Sequence, residues 1–170
     1  ALQKANLTEK DVKLVLLQHA DGRLALSRKD VDAWAGLDPM MASAEIGEGA
    51  RLFYRDAGAN TWGILNVREA FAKDHPDIVK RVLKVYEDAR KWSLANKDKL
   101  KAQFAAATKL PADVVARQID ERTDLTNPKI GAAQRESILA AGLALQKAGV
   151  IKDSVDVKAA VDSLLDPSFN

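Results

Sequence analysis

The chain has 170 residues, 47% of them hydrophobic and 29% charged, a balance that suits one compact domain or two small lobes and is too apolar for disorder. Twenty-six basic residues stand against 24 acidic ones, interspersed to a formal charge of +2, so no basic arm points to a nucleic-acid partner. The absence of cysteine excludes disulfides, thiolate nucleophiles and cysteine-ligated metals, and no apolar run reaches the roughly 18–20 residues of a membrane-spanning helix.

Residues 1–7 lack the charged and apolar regions of an export signal and read as the end of a helix closed by Asn6. Thr8 with Asp11 then starts the next segment, because a short side-chain oxygen satisfies free backbone N–H groups there. A helix that opens without a cap reads as cut from something longer, whereas Asp166 and Pro167 before a short tail read as a natural stop.

Between residues 12 and 67, short apolar runs alternate with amphipathic stretches. Residues 12–17 are rich in Val and Leu and short enough for a buried strand, and a helix is expected over 21–29. Residues 31–35 read as a second strand, 38–46 as a helix, and 50–55 and 61–67 as further strands, with Gly and Asn at the breaks. The expected fold class is therefore α/β, with parallel neighbours and ligands at the carboxyl ends of the strands.

After residue 67 the period is helical alone. His75, Pro76 and Asp77 open a long helix whose apolar residues run from Ile78 to Trp92. Leu100, Phe104 and Ala107 mark another, Val114, Val115, Gln118 and Ile119 a third after Pro111, and Ile138 to Leu145 a fourth that ends near Gly149. The division expected is an α/β portion at 1–66 and a helical portion at 67–170, joined by a short hinge strand near 63–67.

Catalytic signatures are few. The chain carries no G-x-S-x-G, H-E-x-x-H or P-loop, and Gly47, Glu48 and Gly49 lack the third glycine of a dinucleotide turn. The two histidines lie far apart: His19 reads as a polar loop residue and His75 as a helix-entry residue. The most informative stretch is 31–40. Asp38 and Pro39 follow an apolar run and precede a helical one, Asp as N-cap and Pro as first helical residue, which is an elbow able to offer N–H groups and a positive helix end to an anion. Equally, Asp38 could only cap the helix and Trp34 only fill core, and periodicity does not separate the two readings.

This stretch resembles the solute-binding proteins of bacterial ABC importers for aliphatic sulfonates, taurine and nitrate. Leu7, Thr8, Glu9, Asp11 and Val12 resemble that family's entry to a strand, and Leu17, Ala20 and Asp21 its following turn. Val31, Asp32, Ala33 and Trp34 with Asp38 and Pro39 are similar to its tryptophan–aspartate–proline stretch, and Gly63 to Phe71 with His75 and Pro76 to its return strand and helix. The resemblance implies a type 2 periplasmic binding protein fold, with this chain as the C-terminal half. Residues 1–66 would belong to the second lobe, and the helical portion 67–170 would pack on the first. It places Trp34, Leu37 and Asp38 at an interlobe cleft, with Asn60, beside Trp62, at its edge. Gly36, Leu37 and Met40 depart from the family's more aromatic pattern, which disfavours a taurine-like ligand and favours a smaller or aliphatic one.

The function so implied is that of a periplasmic, non-enzymatic component that captures a small anionic ligand such as an alkanesulfonate and presents it to ABC importer membrane subunits, with no cofactor, no metal and no nucleic acid. The alternatives are a sensory or protein-interaction lobe on the same scaffold, and a thiamine-pyrimidine-synthase-like protein. The cysteine motif of that synthase family has no counterpart in this chain.

Overall fold

The computed structural model describes residues 1–59 and 62–169, and every regular element among them is helical. The helices are α1 (His19–Arg28), α2 (Met40–Glu48), α3 (Glu69–Asp74), α4 (Pro76–Ala95), α5 (Lys97–Thr108), α6 (Ala112–Glu121), α7 (Ala132–Lys147) and α8 (Val157–Leu164). Short 3-10 turns lie at Gln3–Ala5, Glu9–Asp11, Ala57–Ala59 and Pro167–Phe169.

The expected α/β class is thus corrected: no strand occurs among the described residues. Residues 12–17, 31–35, 50–55 and 62–67 form no ladder, and residue 61, the first of the last predicted strand, lies outside the described residues. The physical reason is that a strand is defined by hydrogen bonds to a neighbour, and an apolar run cannot supply that neighbour itself. Leu16, at 93% exposure, shows how little the first of these runs is covered.

The helices lie close to where period and caps place them. Asn6 turns left-handed at φ 56° and closes the first 3-10 turn. The Asp11 carboxylate accepts the Thr8 N–H at 2.8 Å while Thr8 Oγ1 accepts the Lys10 N–H at 3.3 Å, a reciprocal cap. This cap opens a 3-10 turn and not a strand. α1 starts two residues before the expected 21 and ends at left-handed Lys29; Pro76 opens α4; and Gly149, at φ 76°, follows the end of α7.

Two compact units divide the chain. The first comprises Ala1–Arg55 and Ala95–Asp124, the second Asp56–Leu94 and Leu125–Asn170. In the first, α2 packs against both α1 and α6, and α6 against α5. Buried Ala42 and Ala44 keep the α2 surface low, and α6 brings buried Val114, Val115 and Ile119 on one stripe of its amphipathic face. Arg23 Nε donates to Glu48 Oε1 at 2.8 Å between α1 and α2, and Lys101 Nζ lies 3.0 Å from Asp120 Oδ2 between α5 and α6. In the second unit, α7 and α8 pair. Gly142 permits their close approach, since a Cβ there would stand 2.7 Å from Val157 Cγ1. Gln146 Nε2 holds the connection by donating to the carbonyls of Lys152 at 3.0 Å and Val155 at 2.9 Å, and Asp156 caps α8 through the Ala159 N–H. No helix among the described residues is long and apolar enough to cross a membrane.

Candidate functional site

The bend at residues 34–39 belongs to the first unit and is held at both ends. At its start the Trp34 indole lies against two glycines: a Cβ on Gly22 of α1 would stand 2.6 Å from its Nε1, and one on Gly36 would stand 2.6 Å from its Cζ3. Any larger residue at either position has to move the ring. Trp34 is accordingly half-buried, seated on α1 rather than projecting freely.

At the other end, Pro39 and not Asp38 is the N-cap of α2, and the helix begins at Met40, with a cis peptide bond between Asp38 and Pro39. Asp38 nevertheless serves the helix end, because its Oδ1 accepts the Ala42 N–H at 3.0 Å. The Met41 N–H donates to the Leu37 carbonyl and the Ser43 N–H to that of Pro39, each at 3.0 Å. The elbow therefore spends these N–H groups within the chain, which departs from the sequence expectation of an elbow open to an outside anion. The rationale that placed this bend at the carboxyl end of a strand also lapses, since no strand precedes it.

Sequence reasoning missed the partner of Asp38. Arg122, just past the end of α6, donates from Nη1 to Asp38 Oδ1 at 3.0 Å and to Oδ2 at 3.4 Å, and from Nη2 to Glu45 of α2. Arg117 stands 3.9 Å from the same Glu45 and 3.0 Å from Glu121. Side-chain exposures of 5% for Arg122, 15% for Asp38 and 16% for Glu45 make this a largely desolvated cluster. Burial works against the Arg122 charge, but its hydrogen bond to Glu45 and the charge of Asp38 with the hydrogen bond Arg122 donates to it outweigh that effect, so its pKa rises above the ordinary guanidinium value. A carboxylate and a guanidinium 84 residues apart leave no local signature in a sequence; the hint available was an arginine just past the end of an amphipathic helix.

Of the other predicted positions, Leu37 is exposed at 44%, next to Asp38 in the bend. Asn60 lies outside the described residues. Trp62 is half-buried, His19 is the first residue of α1, and His75 closes α3 with its ring centroid 4.9 Å from that of Phe71. The structure thus gathers Trp34, Leu37 and Asp38 in one bend. A separate shallow hollow in the same unit is lined by Val15, Leu17, Leu24 and Val31 together with Asp21 and Arg28, and none of the three bend residues lines it. No cluster of metal-ligating side chains occurs among the described residues.

Comparison with known proteins bears on the same stretch. Residues 1–100, which include the whole bend, match the model of the family described as NMT1/THI5 like. A protein of Escherichia coli (strain K12), provisionally named aliphatic sulfonates-binding protein, is 28% identical over 142 residues, covering 81% of this chain and 44% of that protein. A Bacillus subtilis (strain 168) protein with the same provisional name is 26% identical over 158 residues, covering 90% of this chain and 46% of that protein. The chain therefore spans less than half the length of either relative. No solved structure gives a significant match.

Proposed function

The chain belongs to the NMT1/THI5-like family, and from that premise we propose that it is part of an extracytoplasmic solute-binding component of an ABC importer, capturing a small anion such as an alkanesulfonate without chemical conversion. The observation that carries this reading is the alignment of most of the chain with two proteins named for binding aliphatic sulfonates. In the proposed arrangement, Trp34 and Leu37 offer apolar surface to the ligand's tail and Asp38 sets the shape of the bend. Periplasmic location and delivery to importer membrane subunits belong to the same proposal.

A solute-binding protein signals by closing, so its ligand must favour the closed state, and it stabilises the folded protein by mass action. Hexanesulfonate is expected to raise the melting temperature of this chain in a thermal-shift assay. Calorimetry is expected to give an affinity at least tenfold weaker than for a full-length relative, whose additional length brings further polar groups to the anion. The absence of a shift with hexanesulfonate, taurine, nitrate and bicarbonate alike would overturn the binding reading. A shift with nitrate or bicarbonate alone would replace the ligand.

A further inference from the structure

Among the described residues α4 is the longest helix, 20 residues and so about 30 Å, yet it belongs to none of the closely packed helix pairs. One side carries buried Val79 with half-buried Leu83, Glu87 and Arg90, and Arg90 ties that side to the Leu125 carbonyl. The opposite side is apolar as well. Ile78, Val82, Val85 and Ala89 are all exposed there, Val85 to 67%. Their successive spacings of four, three and four residues are the alternation of a coiled-coil seam, and at about 100° per residue they fall within a stripe about 60° wide. Arg81 and Asp88, seven residues apart, flank one edge of this seam, and exposed Tyr86 flanks the other.

We propose that this seam pairs with the same seam of a second copy of the chain, antiparallel and about a two-fold axis. Setting Val82 against the partner's Val85, and Ile78 against the partner's Ala89, brings Arg81 of each chain opposite Asp88 of the other, so the symmetry makes the ion pair twice. A parallel pair would set Arg81 beside Tyr86 and Asp88 beside Ser93, leaving both charges unmatched. Within its own chain Asp88 meets Lys84 at 2.8 Å in an exposed pair that water screens, and a second cation can share it. The occupant is therefore a copy of this chain and not an unrelated apolar helix, because the charges at the seam's edge complement themselves under the two-fold. This self-association is independent of which ligand the chain binds.

Sedimentation velocity of the full chain over a series of concentrations is expected to show a monomer–dimer equilibrium. Val85→Lys, which places a charge in the seam, is expected to weaken the dimer by about tenfold or more, while Leu16→Lys in the extended run 12–17 leaves it intact. Arg81→Asp and Asp88→Arg are each expected to weaken it about tenfold, because like charges then stand opposite one another. An equal mixture of those two variants is expected to recover the affinity, since each supplies the charge the other lacks, and so is the double exchange Arg81→Asp/Asp88→Arg. Mixing also separates pairing from folding, because a misfolded variant is not rescued by its counterpart. A chain that stays monomeric up to about 100 μM, a dimer indifferent to Val85→Lys, or single variants that mixing does not rescue would each overturn the proposal. A dimer lost in Leu16→Lys places self-association in the extended run and overturns it as well.

Discussion

Arg117 and Arg122 both reach Glu45, yet they stand in different media. Arg117 is 35% exposed and Arg122 only 5%, so water screens the first pair and hardly reaches the second. Removing a partner from a desolvated cluster strands the charge that remains, which costs far more than the pair's net worth. Arg122→Met is accordingly expected to destabilise the chain by roughly 3–5 kcal/mol, and Arg117→Ala by less than about 1 kcal/mol, both measured by urea denaturation. Equal losses would show that water reaches Arg122 as freely as Arg117. At this scale the sequence was half legible. Asp38 stood out because an aspartate before a proline and an apolar period is a helix-start pattern, but its arginine partner did not, because nothing in the intervening residues records the contact.

The amphipathic period of α4 and Pro76 at its start made that helix readable from the sequence, and its internal ion pairs follow from the same spacing. Glu87 accepts from Arg90 at 2.7 Å and lies 3.3 Å from Lys91, while Arg90 also donates to the Leu125 carbonyl at 2.7 Å. The Arg90 hydrogen bond, with help from Lys91 and against the effect of burial, lowers the Glu87 pKa from 4.5 to about 2. A carboxylate more acidic in the folded than in the unfolded state contributes stability that is complete above the unfolded value and is lost as pH falls through the folded one. The hold of α4 on residue 125 is therefore expected to loosen between pH 4.5 and about 2. A carbon-detected NMR titration of Glu87 should show its midpoint near 2, moving back toward 4.5 in Arg90→Gln; a midpoint indifferent to that substitution would remove the assigned cause. Helices repeat a pattern every few residues and carry their own hydrogen bonds, so their identity survives in sequence even when the surroundings are unknown. Strands lack that independence, which is why residues 12–17, 31–35 and 50–55 looked like strands and form no ladder.

Among the described residues, buried apolar side chains are few: Ala42, Ala44, Val114, Val115 and Ile119 in one unit, and Val79, Val157 and Val161 in the other. Large apolar groups such as Leu14, Leu16, Phe53 and Leu65 remain exposed in the extended runs. An exposed apolar run with high β-propensity and an unpaired backbone is a template for association with another copy. Leu16→Lys is expected to lower concentration-dependent light scattering and the binding of a hydrophobic dye by at least half; scattering unchanged by that substitution would place the adhesive surface elsewhere. The sequence by itself determined the family, the approximate positions of most helices and the left-handed stop at Asn6, because caps, periods and motifs are written in neighbouring residues. Only the tertiary structure decided that the apolar runs among the described residues have no ladder, that Trp34 is berthed on Gly22, and that Asp38 is paired with Arg122. Each of those outcomes depends on a group brought near by folding, and the chemistry of a residue states what it can pair with but not what arrives beside it.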